Sequence, residues 1–451
     1  MSLEDSLHGA YGVAPLSVQE APALRPLSLR RNFAWTLVGS GVYAASQWGM
    51  MIVLAKLGSA DIVGRFALGL ALGAPVVMFT NLQLRAVQAT DARHEYAFGD
   101  YLSLRLIMSA VAFGVIAALA VLGGYRAEVA RVIVIVGLAK CVESISDVIY
   151  GLWQKQERLD LIAISQMLKG PASLVALWVV MRATGSLVWA TLGLLAVWTG
   201  LLFTYDAFNA RRILRLLSWR EGKVREARPR LPMLRQLAWL AAPLGVVGLL
   251  DSLNYNVPRY FLQHSLGEAA LGHFAALASL LMAGNMVVMP LAQSAAPRLA
   301  RHYVSDLAAF TRLVWNLIKF ALVIGGVGLL VSLIFGRQLL TILYKADYAA
   351  HAEVLAWVMA GAGIGYLAKF LVCAMTAARR FRAQAPLYAL ATLACALVSY
   401  ATIPGWGLVG AAWGTGAAAL VLALGAAGIT LQAVRQRARQ EELETTPPER
   451  P

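Results

Sequence analysis

The sequence predicts an all-α integral membrane protein with about twelve transmembrane helices, in two six-helix lobes related by a pseudo-two-fold axis along the membrane normal. The 451 residues are 59 % hydrophobic and only 14 % charged, whereas soluble domains carry about 25 % charged residues. This composition excludes an ordinary cytosolic enzyme, a secreted disulfide scaffold and a disordered protein. Two further observations support this fold. About twelve apolar runs follow one another along the chain, and one short motif occurs in both halves.

A helix that crosses a bilayer needs about 20 mostly apolar residues, and about twelve such runs follow one another along the chain. We number them spans 1 to 12. In the first half they cover residues 33–54, 62–82, 101–122, 129–150, 161–181 and 187–208. In the second half they cover residues 237–256, 269–289, 313–335, 354–376, 386–403 and 408–431.

The connections between the spans alternate between basic and nearly uncharged. The segment 209–236 alone holds nine Lys or Arg residues, and basic loops stay in the cytoplasm. This pattern places both termini in the cytoplasm and accounts for the net charge of +15 without a nucleic-acid partner. The predicted domains are a disordered N-terminus (1–32), an N-lobe (33–208), a basic linker (209–236), a C-lobe (237–432) and a disordered tail (433–451).

One short motif occurs in both halves, in each case between the first two spans. Residues 57–68 read LGSADIVGRFAL, and residues 266–277 read LGEAALGHFAAL. Six spans separate the copies, so both halves have the same orientation in the membrane, which requires an axis along the membrane normal. Chance similarity between two turns rich in Gly and Ala is the alternative.

Several charged residues lie inside the predicted spans. A charge at the bilayer centre costs at least about 2.5–3.5 kcal/mol, so such residues usually face a bundle interior or a cavity. Lys140, Glu143 and Asp147 follow the spacing i, i+3, i+7 and share one face of span 4. Either they line a hydrated cavity between the lobes, or Lys140 and Glu143 only neutralise each other. Arg105 in span 3 is expected to be an anchor that extends to the cytoplasmic interface.

These intramembrane residues form three candidate groups. The cations, which would attract an anionic substrate, are Lys140, Lys169, Arg259 and Lys369. If the span boundaries shift, snorkelling to the interface is the alternative for Lys169 and Lys369, and Lys169 and Arg259 could each lie near a helix end. The neutral polar candidates are Tyr43, Gln47, Asn254 and Asn285. The carboxylates, suited to ion coupling or to pairing with the cations, are Glu143, Asp147 and Asp251.

Motifs for enzymatic chemistry are missing from the sequence. It contains no P-loop, GxSxG elbow or HExxH motif, and its six His residues do not follow a metal-ligand spacing. We therefore predict no enzyme activity, no cofactor and no metal site.

The stretch LAKLGSADIVGRFALGLAL at 54–72 resembles the start of the Wzx-type polysaccharide-biosynthesis flippases. In that family the first helix leads into Leu-Gly, a small polar stretch, Gly, an aromatic residue and Ala-Leu. NLQLR at 81–85 is similar to a subset of the same proteins. The family belongs to the multidrug/oligosaccharidyl-lipid/polysaccharide (MOP) exporter superfamily, which also contains the multidrug-and-toxin-extrusion (MATE) pumps.

The resemblance implies transport without chemistry, through a V-shaped cavity that opens alternately to each side of the bacterial inner membrane. The implied substrate is an undecaprenyl-pyrophosphate-linked oligosaccharide for O-antigen, capsule or exopolysaccharide synthesis. Its pyrophosphate would meet the four cations and its glycan the four neutral polar residues. Membrane lipids and other polysaccharide assembly proteins are the further expected partners. The alternatives are a cation-coupled multidrug antiporter and a membrane-embedded polymerase, ligase or acyltransferase.

Overall fold

The computed structural model describes residue 27 and residues 29–91, 95–221 and 231–445. The predicted disordered N-terminus therefore lies almost wholly outside the described residues, as do 222–230 of the linker and the end of the tail. Within the described part the chain is helical, with no strand. The all-α prediction is confirmed.

The described residues of the first half form eight helices, of which α3 is a short one after span 2. They are α1 (Leu29–Leu57), α2 (Ala60–Thr80), α3 (Leu84–Thr90), α4 (Phe98–Leu122), α5 (Ala127–Lys155), α6 (Leu159–Thr184), α7 (Leu187–Leu201) and α8 (Ala207–Glu221). A π-helical turn, Leu202–Asp206, joins α7 to α8. Spans 1 to 5 are α1, α2, α4, α5 and α6, and α7 continues through the π-helical turn into α8 as span 6.

Between residues 231 and 445, the second half contains six further helices and a 3₁₀ turn at Phe381–Ala383. They are α9 (Leu231–Ser279), α10 (Leu281–Ser305), α11 (Leu307–Leu343), α12 (Ala346–Ala349), α13 (Ala352–Ala377) and α14 (Gln384–Thr445). Gly267 interrupts α9 with φ 82° and ψ −171°, and Gly407 interrupts α14 with φ 54° and ψ −125°. These positive φ angles, which L-residues rarely adopt, end spans 7 and 11.

Among the described residues, nine helices are long and apolar enough to cross a membrane. Dividing α9 at Gly267 and α14 at Gly407 adds two spans. Helix α5 adds the twelfth, because its length of 29 residues suffices and its charged side chains have partners inside the protein. The part of α9 after Gly267 and the helix α10 together form span 8.

The largest apolar contact between the lobes lies at one end of the molecule. There the largest apolar core takes residues from both lobes, such as Leu54, Phe66, Phe274 and Tyr348. We call this the closed end; it contains the turn after α1, the Gly267 turn and α12. Toward the other end, which we call the open end, the C-lobe and part of the N-lobe build separate cores, and only a smaller core joins the start of α9 to α4, α5 and the turn after α2.

The two copies of the repeat meet at the closed end. A β-carbon on Gly64 would lie 1.8 Å from the carbonyl oxygen of Glu268, and one on Gly272 would lie 1.8 Å from that of Ala60. Gly64 and Gly272 hold equivalent places in the repeat. The pseudo-two-fold axis therefore passes close to this crossing of α2 and α9, and the repeat holds the lobes together.

The tail differs from the expectation. Residues 433–445 were expected to be disordered, but α14 continues through them to Thr445. The segment AVRQRARQEELET consists mainly of Ala, Arg, Gln, Leu and Glu, which are good helix formers. Its charge keeps it out of the bilayer but does not end the helix.

Candidate functional site

A polar cluster in the C-lobe brings together three residues from three helices. Lys369 Nζ on α13 donates to Asn285 Oδ1 on α10 over 2.6 Å. Asp251 on α9 is exposed and interacts electrostatically with Lys369. We call Asp251, Asn285 and Lys369 the C-lobe cluster. The cluster therefore contains one cation and one carboxylate, and the carboxylate is the more exposed of the two.

Arg259 lies two turns beyond Asp251 on α9, toward the closed end. Its Nη1 donates to Asn256 Oδ1 over 3.2 Å, and its Nε has no hydrogen-bond partner among the described residues. Asn254 points elsewhere: it is 5 % exposed and accepts from Thr392 Oγ1 of α14 over 2.9 Å. It therefore fixes α14 to α9 inside the C-lobe.

In the N-lobe, Lys140 and Glu143 of α5 form an ion pair of 2.8 Å. Tyr43 of α1 donates a hydrogen bond to Glu143, and Lys140 Nζ lies 5.1 Å from the ring centroid of Trp198. The Lys140 and Glu143 side chains remain about one-quarter exposed, at 25 % and 26 %. Gln47 lies one turn beyond Tyr43 and is half-buried.

Lys169 belongs to a second, fully buried ion pair. Its Nζ lies 3.6 Å from Asp206 Oδ2, and the two side chains are 2 % and 0 % exposed. Ser146 and Tyr150 accept hydrogen bonds from Lys169 over 3.0 and 3.2 Å, and Ser165 donates to Asp206 over 2.7 Å. The structure thus holds Lys169 inside the N-lobe rather than at an interface or in the gap between the lobes.

Asp147 is bound by two arginines. Arg85 Nη1 and Arg105 Nη2 each lie 3.5 Å from one of its carboxylate oxygens. Arg105 is 1 % exposed, so the expected interfacial anchor is a buried residue of the N-lobe. It also donates to Asn81, the residue that directly follows α2.

Ion pairs and hydrogen bonds join the lobes at the closed end. Arg65 Nε of α2 donates to Glu268 Oε2 of α9 in the other lobe over 2.6 Å, while its Nη1 donates to Glu128 of α5 within the N-lobe over 2.9 Å. Lys345 Nζ donates to the Gly58 carbonyl over 2.6 Å. Trp48 Nε1 donates to Tyr344 OH over 3.3 Å. The bonds that cross between the lobes hold them together at the closed end.

Comparison with known proteins decides the family. The sequence profile described as "Polysaccharide biosynthesis protein" matches residues 29–303. The chain belongs to this family. It is similar to the capsular polysaccharide biosynthesis protein CapF of Staphylococcus aureus, with 25 % identity over 389 residues that cover 85 % of this chain and 94 % of the relative. The family resemblance predicted from 54–72 is thereby confirmed.

Solved structures support the fold. A point mutant of the Vibrio cholerae MATE transporter VcmN aligns with a TM-score of 0.60 at 14 % identity, over 92 % of this chain and 98 % of that one. A MATE family transporter of the MOP superfamily in an inward-facing conformation aligns with a TM-score of 0.64 at 13 % identity, over 93 % and 98 %. The twelve-helix, two-lobed fold is confirmed, and the chain is a multi-pass membrane protein of transporter-like fold.

The structure groups the candidate residues differently from the sequence pattern. Lys369, Asn285 and Asp251 come together, as do Lys140, Glu143 and Tyr43, whereas Lys169, Asp147 and Asn254 are engaged elsewhere. Sequence reasoning missed Asp206, although an aspartate inside span 6 was a sufficient signal, because a charge within a span marks a buried partner or a site. Arg85 is not among the sequence candidates, because it lies just beyond the end of span 2 (62–82).

Proposed function

We propose that the protein is a flippase that moves an undecaprenyl-pyrophosphate-linked oligosaccharide across the bacterial inner membrane by alternating access. The observation that carries the proposal is the C-lobe cluster, in which Asn285 accepts a hydrogen bond from a half-buried lysine, in a member of the polysaccharide-biosynthesis family. The pathway is capsule, O-antigen or exopolysaccharide synthesis, and the name of the relative CapF favours capsule.

The chemistry of this substrate matches the polar residues of the two lobes. A pyrophosphate is a dense anion that needs cations and hydrogen-bond donors once it leaves water. Lys369 and Arg259 supply these in the C-lobe, and Lys140 supplies one in the N-lobe. Tyr43, Gln47 and Asn285 offer hydroxyl and amide groups for a glycan. Lys169 and Asn254 have partners within their lobes, and we leave them out of the binding site.

The division into a closed and an open end supports alternating access. We place the open end toward the cytoplasm, where the basic connections lie and where the lipid-linked substrate is made. The outward step requires that the lobes separate around Gly64, Gly272 and the Arg65–Glu268 pair, while the open end closes. Glu143 and Asp251 are the carboxylates that could couple this motion to a cation.

A cation-coupled multidrug antiporter is the second candidate function. The fold likeness to MATE transporters and the exposed carboxylate of Asp251 favour it. A drug cation would bind to Asp251 and be repelled by Lys369, whereas a pyrophosphate would have the opposite preference. The charge required at position 369 therefore separates the two functions.

Lys369→Glu is expected to abolish transport and to leave membrane insertion intact, because it reverses the charge of the C-lobe cluster. Cells that depend on this variant should accumulate the lipid-linked oligosaccharide and lose surface glycan. Mass spectrometry of extracted lipids and quantification of surface glycan measure both effects.

Lys56→Glu serves as the matched control, since Lys56 is an exposed lysine at the closed end. It should transport normally. Full complementation by Lys369→Glu would contradict the pyrophosphate site. Unchanged lipid intermediates in a deletion strain, together with lost drug efflux, would favour the antiporter.

The proposed topology places Lys345 outside the cell membrane and Arg312 in the cytoplasm. Both side chains are exposed. In a background without Cys141, Cys373 and Cys395, a cysteine at 345 should react with a membrane-impermeant maleimide in intact cells, and one at 312 should react only after permeabilisation. The reverse pattern would invert the topology.

A further inference from the structure

The strongest unassigned feature is the group of Arg85, Arg105 and Asp147, at the open end of the N-lobe. Each guanidinium lies 3.5 Å from a different oxygen of the one carboxylate. Good charge-assisted N–H···O bonds are about 2.7–2.9 Å long. Asp147 thus bridges two cations at the limit of hydrogen bonding and satisfies neither of them fully.

Burial gives the two arginines different roles. Arg105 is 1 % exposed, and its Nε has no hydrogen-bond partner in the described part of the chain. The side chains of Arg85 and Asp147 are 34 % and 31 % exposed. A ligand can therefore reach Arg85 and Asp147, while Arg105 lies behind them as a fixed cation with an unused donor.

The surrounding residues hold Arg85 in place. Its Nε donates to Gln154 over 2.9 Å, and its guanidinium carbon lies 5.7 Å from the Tyr150 ring centroid. The turn before α3 contains Leu82 and Gln83, both with φ near 50°, a conformation that residues other than glycine rarely adopt. Because this turn costs energy and sets the position of Arg85, it indicates that the position of Arg85 is functionally required.

The same turn borders the other lobe. A β-carbon on Gly248 of α9 would lie 3.6 Å from Gln83 Nε2, and one on Gly245 would lie 2.7 Å from the Phe79 carbonyl oxygen. The end of α2 and the turn after it therefore pack directly against α9, and Arg85 lies beside a contact between the two lobes.

The charge balance singles out this group among its neighbours. The buried and half-buried cations on α5 and α6 have one carboxylate each: Lys140 with Glu143, Lys155 with Asp91, and Lys169 with Asp206. Arg85 and Arg105 share one. The surplus positive charge of the N-lobe interior therefore lies at Arg85 and Arg105.

We propose that Arg85 and Arg105 form a binding site for a phosphate or diphosphate group, and that Asp147 is a resident counter-ion that the arriving phosphate replaces. A phosphate has more oxygens than a carboxylate and can engage both guanidiniums and the free Nε of Arg105. The site rests on the proposed function, in which it is the first contact of the substrate's diphosphate from the open end. The same chemistry would accept a free diphosphate.

Calorimetric titration of the full-length protein in nanodiscs tests the site. The probes are inorganic pyrophosphate, farnesyl diphosphate and farnesol. Arg85→Gln should weaken binding of both diphosphates about ten- to a hundredfold, the contribution of a charge-assisted hydrogen bond or two. Asp147→Asn should strengthen it, because the competing carboxylate is gone. Equal affinity for pyrophosphate and farnesyl diphosphate would mean that the site recognises the diphosphate group alone. Tighter binding of farnesyl diphosphate would mean that the ligand is a lipid diphosphate.

A purely structural ion triad predicts the opposite for Asp147→Asn: a lower melting temperature and no gain in affinity. That result, or unchanged binding by Arg85→Gln, would overturn the proposal. If Asp147→Asn does not fold, Asp147→Ser replaces it, and Arg337→Gln controls for loss of an exposed arginine at the closed end. Normal transport by Arg85→Gln beside a defect in Lys369→Glu would reject this site while the proposed function stands.

Discussion

Gly64→Val is expected to abolish transport while the protein still folds and inserts, because valine prevents the lobes from meeting at the closed end. A β-carbon at this position would lie 1.8 Å from the Glu268 carbonyl oxygen, so the helices must move apart. Overpacking a tight contact costs about 1–3 kcal/mol, and each 1.4 kcal/mol changes a conformational equilibrium about tenfold. The variant should therefore populate the state that is open at this end.

Cysteine accessibility measures that shift. Ser279 lies under the closed end, where its hydroxyl is 2.9 Å from Tyr344 OH. With the native cysteines removed, Ser279→Cys should react slowly with a membrane-impermeant maleimide, and much faster when combined with Gly64→Val. Gly272→Val should act like Gly64→Val, since repeat symmetry makes the two positions equivalent. Gly114→Val is the control, because nothing lies within 4 Å of a β-carbon there.

Wild-type transport by Gly64→Val, with unchanged labelling at position 279, would show that the closed end is not a gate. Loss of transport with slow labelling would instead indicate that valine blocks the motion without opening the lobes. The first result contradicts alternating access around this crossing, and the second locates the block at a different step.

The number and order of the spans could be predicted from the sequence because each crossing must bury its backbone in about 20 apolar residues. Even the turns at Gly267 and Gly407, which join two helices with almost no loop, fall between predicted spans. The meeting of Gly64 and Gly272 also follows from the repeat, once its two copies are placed around one axis.

The partners of the intramembrane charges could not be predicted in the same way. Helix periodicity gives the face on which a residue lies, but not the helix that packs against that face. Lys169 therefore looked like a cavity residue until α7 and α8 placed Asp206 beside it. The π-helical turn that ends at Asp206 is itself a distortion without a strong sequence signal.

The buried pair of Lys169 and Asp206 gives the second large expected effect. Lys169→Met alone should destabilise the N-lobe by about 3–5 kcal/mol, because removing one partner leaves an uncompensated buried charge. Asp206→Leu alone should cost a similar amount. The double variant should recover most of the loss, since apolar side chains of similar volume avoid the desolvation of both charges. Thermal unfolding of detergent-purified protein, followed by size-exclusion chromatography, gives the order of stability.

Transport by the double variant then separates structure from mechanism. If the pair only holds α6 to the end of span 6, a stable double variant should flip substrate at the wild-type rate. Lys169 also interacts electrostatically with Glu143. If transport requires Lys169 to exchange partners between Asp206 and Glu143, the double variant should be stable and inactive. The buried hydroxyls of Ser165 and Tyr150 would keep each other as partners in either case, whereas Ser146 would lose its bond from Lys169. A double variant no more stable than the single ones would mean that these hydroxyls, rather than the ion pair, determine the stability of the N-lobe interior.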